Sequence, residues 1–216
     1  MFARVGSQRN TPRPPAVASS TITTGDGPVF TIDMPSEKPD DDLYVAIVFV
    51  SDRDNEFTNI DAGWTSIETT AETNNARLHS WWWVGSSEPS SYTVSSSSSI
   101  GDHSAIVYRI TGVDTISPID ASSSFSGEAG GTTVPILSIE SVTNNVLALV
   151  SLGVKNRDIT ATPLTSDGVS INSKGSFASC HDQQDAQGFS QSGSFTIDSA
   201  TVTAYSTSTI LIKSGN

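Results

Sequence analysis

The chain has 216 residues, one cysteine and a formal net charge of −12. This length suffices for one large all-β domain or two small ones, each with a substantial core. Acidic residues outnumber basic ones by 23 to 11, which argues against a nucleic-acid partner, and the lone cysteine excludes an internal disulfide. No apolar run approaches the roughly 20 residues that span a bilayer, and the N-terminus lacks the pattern of a signal peptide. We therefore expect a soluble protein made in a cytoplasm, with no membrane partner.

The positive charge is concentrated at the N-terminus. Arg4, Arg9 and Arg13 give the first 25 residues a charge of +3 with no acid, which leaves −15 for the rest of the chain. The Pro and Ser content of "RNTPRPPAVASS" is also typical of a disordered tail. Our interpretation is an extended basic arm over residues 1–25, held by its own body or by a neighbour, followed by a single acidic domain over residues 26–216.

The rest of the chain has the pattern of an all-β protein. Helical periodicity is almost absent, Ser, Thr, Val and Ile are abundant, and turn signals recur about every ten residues. The pattern predicts a first series of strands at 28–34, 43–50, 65–72, 77–84, 91–98 and 105–113. It predicts a second series at 146–154, 168–175, 177–184, 193–199 and 201–213.

The two series resemble each other in order. Each opens with a long apolar strand after a polar turn, "DDDLYVAIVFV" in the first and "TNNVLALVSLGV" in the second, and each ends in a strand that is apolar or rich in Ser and Thr. We therefore expect a jelly-roll-like antiparallel β-sandwich made of two pseudo-repeated, five-stranded halves packed face to face. The alternative is a tandem pair of small sandwiches. One domain is preferred because "PILSIESV", between the halves, is itself strand-like.

Strand 43–50 is apolar on both faces and so needs two covers. Side chains alternate along a strand, so one set faces the core of the sandwich and the other needs a second cover, supplied by the arm, a long loop or another subunit. The core set is Leu43, Val45, Ile47 and Phe49, and the second set is Tyr44, Ala46, Val48 and Val50.

Three adjacent tryptophans lie in the strand "RLHSWWWV". Alternation assigns Trp82, with Leu78 and Val84, to the core. The opposite face then carries Arg77, His79, Trp81 and Trp83, a combination enriched at protein interfaces. We expect this face to be an interface between subunits. The alternative is that a long loop of the same chain covers both outward rings.

Motifs for catalysis or metal binding are sparse. The three histidines, at 79, 103 and 181, lack i, i+4 spacing, and one cysteine cannot build a zinc cluster, so no metal or cofactor is expected. Cys180 and His181 are neighbours on a predicted strand and so point to opposite faces, which argues against a nucleophile and base. The acidic "DRDNE" at 52–56 lacks the glycine of a helical calcium loop and is interpreted as a solvated turn. We expect no enzyme activity.

A series of short motifs resembles a large group of tailed-bacteriophage structural proteins over nearly the whole chain. These motifs are "RVGS" (4–7), "DLYVAIVFV" (42–50), "GWTSI" (63–67), "RLHSWWWVGSSEPSSYTVSSSSS" (77–99), "AIVYRITGVDTISPID" (105–120) and "DAQGFSQSGSFTIDSA" (185–200). The resemblance implies a non-enzymatic virion component with a β-sandwich fold.

The function expected from this resemblance is that of a capsid decoration, or cement, protein. It would bind the major capsid protein on the outside of the head through the arm and form a homo-oligomer, a trimer at three-fold positions of the shell. The expected interface residues are Arg4, Arg9, Arg13, Arg77, His79, Trp81 and Trp83. The alternative is a tail or fibre module, in which outward Trp81 and Trp83 would stack on a host-surface carbohydrate.

Overall fold

The computed structural model describes residues 13–27, 29–37, 39, 41–51, 57–60, 63–70, 76–85, 89–96, 102–172, 175–184, 187, 193–198 and 203–215. All sixteen regular elements in these ranges are β-strands, and every strand pair is antiparallel. The same ranges contain no helix with the length and apolar character to cross a membrane. The predicted all-β class is confirmed.

The strands divide into two sets of eight along the chain. The first half contains β1 (Ala16–Gly25), β2 (Val29–Asp33), β3 (Asp42–Val50), β4 (Phe57–Ile60), β5 (Thr65–Thr69), β6 (Arg77–Gly85), β7 (Ser91–Ser96) and β8 (His103–Thr111). The second half contains β9 (Ile119–Ala129), β10 (Thr133–Pro135), β11 (Val146–Lys155), β12 (Ile159–Ala161), β13 (Thr165–Asn172), β14 (Gly175–Gln184), β15 (Ser194–Ile197) and β16 (Thr203–Ile212).

Each half forms one five-stranded sheet and one three-stranded sheet. In the first half the large sheet has the order β1-β8-β3-β6-β5 and the small sheet β2-β7-β4. In the second half the large sheet, taken from its β9 edge, has the order β9-β16-β11-β14-β13, and the small sheet is β10-β15-β12. Adding eight to each strand number of the first half gives the strand order of the second, so the two halves share one topology.

The four sheets stack as four layers, with the two large sheets in the middle. The central core lies between the large sheets and contains Leu43, Val45, Ile47 and Phe49 of β3 together with Leu147 and Leu149 of β11. A second core lies between the first large sheet and its own small sheet, and a third core occupies the equivalent place in the second half. Both large sheets are therefore covered on both faces, which is why β3 and β11 are buried along nearly their whole length and mostly apolar.

The inner face of the second large sheet has a row of small residues across all five strands. Pairing between neighbouring strands aligns Gly168, Ser179, Ser151, Ser208 and Ser124. Large side chains of the first half fill the space above this row: a Cβ atom at Gly168 would lie 1.9 Å from Cδ1 of Ile22. In the next row a Cβ atom at Gly153 would lie 1.9 Å from Cδ2 of Phe49. The two halves thus interlock through large side chains on one sheet and small ones on the other.

Two predictions about the strands need correction. Residues 16–25, predicted to lie in the arm, form edge strand β1 and pair with β8, so the body begins near residue 16. The segment "PILSIESV" is not a strand, since β10 ends at Pro135 and residues 136–139 have no regular structure. The long strand between the two predicted series is instead β9, which was not predicted because its run of serines resembles a linker.

We predict that Gly153→Ala lowers the free energy of unfolding by about 1–3 kcal/mol, because the new methyl group would overlap the buried ring of Phe49. Chemical denaturation measures this change. Gly130→Ala is the control, since a Cβ atom there has no heavy atom within 4 Å. Equal stability of the two variants would contradict the close approach of the two large sheets.

Candidate functional site

The structure places Trp81 and His79, two of the predicted interface residues, inside the chain. Trp81 is 4% exposed and His79 3%. The two rings stack with centroids 5.5 Å apart, and Nδ1 of His79 lies 3.3 Å from Oγ1 of Thr69. Burial is the main cause that lowers the pKa of His79 to about 3, with the charge of Arg77 adding to the effect. His79 is therefore neutral at physiological pH.

Trp83 is half-buried beneath the chain that leads into β5. A Cβ atom at Gly63 would lie 2.2 Å from Cζ3 of Trp83, so this position has room only for glycine. The φ of Gly63, +117°, is also one that other residues rarely adopt. The "GW" of the sequence therefore holds the chain against the Trp83 ring, while Trp64 enters the second core.

The prediction that this face of β6 is an interface between subunits is wrong for Trp81 and His79. The assignment of faces is right: Leu78, Val84 and Trp82 belong to the central core. The other face is covered within the chain by the small sheet of β2, β7 and β4, whose Phe30, Ile32 and Val94 pack in the same core as Trp81. The same small sheet is the second cover that β3 required. Arg77, at the start of β6, stays partly exposed.

The predicted arm falls partly outside the described residues. Arg4 and Arg9 belong to residues 1–12, which are not described, whereas Arg13 is exposed just before β1. The chain from Arg13 to Pro15 crosses closely over Gly112, where a Cβ atom would lie 2.6 Å from the carbonyl oxygen of Pro14. Gly112 also has a φ of +75°. The point at which the arm meets the body is therefore fixed.

We use the name arm end for the end of the two large sheets that carries Ala16, Thr111, Leu147 and Ile212. Two open hollows lie there. One, of about 270 Å³, is lined by Arg13, Asp41, Gly112, Val113, Thr115 and Gly215. The other, of about 260 Å³, is lined by Ala16, Val17, Leu147, His181, Asp182 and Gln183. The second hollow lies between the two halves, since its lining comes from β1, β11 and β14.

A buried arginine joins two acidic residues beside the first hollow. Nη1 of Arg109 lies 2.8 Å from Oε2 of Glu37, and its Nε lies 2.9 Å from Oδ2 of Asp42. Burial raises the pKa of Asp42, although the charge of Arg109 opposes the shift. The hydrogen bond to Glu37 is the main cause that raises the pKa of Arg109. These ion pairs tie β3 and β8 to the loop before β3, and they pair the charge of Arg109 within the chain.

A polar network connects the two halves next to the second hollow. The hydroxyl of Tyr108, on β8, lies 2.9 Å from Oδ2 of Asp167 and 2.6 Å from Oγ of Ser179. The other carboxylate oxygen of Asp167 lies 2.6 Å from Nδ1 of His181. Ser151 extends the network, with its Oγ 2.7 Å from that of Ser179. Tyr108 thus places a hydrogen-bonding group from the first half among polar groups of the second.

The protons of this network follow from its geometry. A phenol has one proton, so Tyr108 donates to the Asp167 carboxylate and accepts from the hydroxyl of Ser179. His181 donates from Nδ1 to the same carboxylate. This hydrogen bond is the main cause that raises the pKa of His181 above its usual 6.5, and burial opposes it. An imidazole held in this way can take up and release a proton at the wall of the hollow.

Cys180 does not take part in this chemistry. It points to the opposite face of β14 from His181, into the core beneath the second small sheet, and burial is the main cause that raises its pKa to about 12. The thiolate needed for nucleophilic attack is therefore strongly disfavoured. In the described part of the chain, no three His, Cys, Asp or Glu side chains lie close enough to hold a metal ion. The "DRDNE" turn lies outside the described residues.

Sequence reasoning did not identify the network of Tyr108, Asp167 and His181. The three residues come from three strands, two of them in a different half from the third, and no local motif joins them. A partial signal is the presence of Tyr108 on the core-facing side of β8, between Ile106 and Ile110, because a buried phenol needs a hydrogen-bond partner.

Comparison with known proteins adds no relative. None of the protein families, characterised proteins or solved structures compared with this chain matches it.

We predict that Asp167→Asn lowers the pKa of His181, because asparagine still accepts the hydrogen bond of Tyr108 but carries no charge. Titration of the imidazole followed by NMR measures this pKa. Asp182→Asn is the control, since its carboxylate raises the pKa of His181 by less.

The same pair makes folding stability depend on pH. A histidine whose pKa is raised by folding contributes its full stability below the unfolded value of 6.5, and this contribution is lost as the pH rises through the folded value. His79, whose lowered pKa makes stability rise with pH, opposes this change in the wild type, so the comparison is made with Asp167→Asn. The free energy of unfolding of the wild type minus that of Asp167→Asn should fall over this window. A difference that stays constant would rule out the ion pair.

Proposed function

We propose that this chain is a non-enzymatic bacteriophage virion protein that decorates the outside of the head. The observation that carries the proposal is the architecture: two eight-stranded antiparallel units of one topology, packed through their large sheets. Eight-stranded double-sheet units are common in viral capsid proteins and lectins. The phage-like motifs noted in the sequence support the same assignment.

Within this proposal each half is a jelly roll, and the two halves arose by duplication. The first strand of each half pairs with its last, the second with its seventh and the third with its sixth, as when a long hairpin folds over on itself. Such a hairpin would pair the fourth strand with the fifth, but in both halves the fifth strand pairs with the sixth and so extends the large sheet. Because both halves depart from the hairpin pattern in the same way, they favour one ancestral unit.

Charge supports attachment through the arm. Arg13 is exposed where the chain enters β1, and Arg4 and Arg9 precede it, whereas the remaining residues carry −15. The proposed partner is the major capsid protein, which the arm would contact through acidic groups, with further copies of this chain completing a trimer. The alternative function as a fibre module relied on outward Trp81 and Trp83 rings, and the burial of Trp81 removes the main support for it.

We predict that phage heads purified without tails contain a protein of 22.7 kDa in a copy number comparable to that of the major capsid protein. Quantitative gel analysis or mass spectrometry of such heads provides the test, with purified tails as the control sample. Recovery of the protein in the tail fraction alone would overturn the decoration function in favour of the tail.

We predict that deleting residues 1–12 weakens binding to heads that lack the protein, and that wild-type binding weakens with added salt, because part of the contact is ionic. The deletion stops short of β1, so thermal unfolding should be unchanged. A matched variant in which Arg4 and Arg9 are replaced by Gln separates the charge of the arm from its length. Binding at full occupancy by the deletion variant would refute the role of the arm.

A further inference from the structure

We propose that the arm end is the surface of the body that docks on the capsid, and that Ile116 and Val142 are its apolar contact residues. This inference rests on the proposed function and adds the orientation of the body on the shell. Ile116 and Val142 are 90% and 63% exposed, more than Val29, Phe125 and Val169, the other large exposed hydrophobic residues in the described part of the chain.

Both residues lie in loops at the arm end. Ile116 belongs to the loop between Thr111, where β8 ends, and Ile119, where β9 begins. Val142 belongs to the segment that leads into β11 at Val146. The backbone N–H of Val142 donates to Oδ2 of Asp120, at the start of β9, in a hydrogen bond of 2.8 Å. The two loops therefore flank the same strand end.

The backbone of both loops is held in place by hydrogen bonds. Oδ1 of Asp114 accepts the N–H groups of Ile116 and Ser117 at 2.9 and 3.2 Å, and Nζ of Lys213 donates to the hydroxyl of Ser117 at 3.0 Å. The carbonyl oxygen of Val142 accepts from the side-chain amide of Gln187 at 2.6 Å. Two aliphatic side chains are thus presented to solvent on fixed backbones, so their contact with a partner would cost little ordering of the loops.

The arm begins at the same end. Arg13 and Pro14 cross over Gly112, the residue that precedes the loop of Ile116. Residues 1–12 start from this point and can reach at most about 40 Å from it. A partner that binds both the arm and the body is therefore best placed against the arm end.

These features define the chemistry of the partner surface. It would offer an apolar depression for Ile116 and Val142, bordered by carboxylates that pair with the arginines of the arm. The proposed occupant is the outer surface of the shell, because the arm that the proposed function assigns to the shell joins the body at this same end.

The test is co-sedimentation of the full-length protein with purified heads that lack it, over a range of protein concentrations. We expect the double variant Ile116→Ser, Val142→Ser to bind at least about tenfold more weakly than the wild type. Val29→Ser is the matched control, because Val29 is 60% exposed and starts β2 at the far end of the molecule from Ala16. Unchanged thermal unfolding of all variants verifies that the fold is retained.

Each outcome decides the inference. Weaker binding of the double variant with normal binding of Val29→Ser supports it. Normal binding of both variants to heads that bind the wild type overturns the docking surface and leaves the decoration function standing. Failure of the wild type itself to bind overturns both. Loss of self-association of the free double variant, seen by analytical ultracentrifugation, would assign the surface to a second copy and overturn the inference.

Discussion

The structure depends on the contact between the inner faces of the two large sheets. Each large sheet must be covered on both sides, and each half supplies only a small sheet for its outer side, so the two halves cover each other. Large side chains such as Phe49 and Ile22 meet positions where only glycine fits, and Tyr108 reaches across to Ser179 and Asp167. Edge strands β5 and β9 face each other across the interface, where Glu68 of β5 accepts hydrogen bonds from Ser122 and Ser124 of β9.

Much of the large-sheet arrangement was predictable from the sequence. Strands that are buried on both faces have continuous apolar runs, and these runs identified β3, β8 and β11. Alternation along β6 correctly assigned Trp82 to the central core. What the sequence could not provide is the identity of the cover for the opposite face. A pattern of side chains shows that Trp81 needs a cover, but a sheet of the same chain and a neighbouring subunit satisfy that need equally well.

The sequence did not predict five of the strands, for two physical reasons. β1 and β9 are edge strands rich in Ser, Thr and Ala, and such composition also describes arms and linkers. The serines of β9 form hydrogen bonds: two of them donate to Glu68 of the facing strand β5, and Ser126 bonds Ser206 of the neighbouring strand β16. β4, β10 and β12 have four, three and three residues, too few for alternation to be recognised. The network around His181 depends on how three strands come together, which no local pattern encodes.

The proposed function gives a role both to the basic arm and to the acidic body. A basic arm starts at one end of an acidic, four-layered body, and the same end presents two exposed aliphatic side chains on fixed backbones and two hollows. The most direct measurement is an electron cryo-microscopy map of the intact particle. Our account predicts outer-surface density on the head into which the four-layered body fits with Arg13, Ile116 and Val142 toward the shell. Heads without such density, or a fit that places the arm end outward, would contradict it.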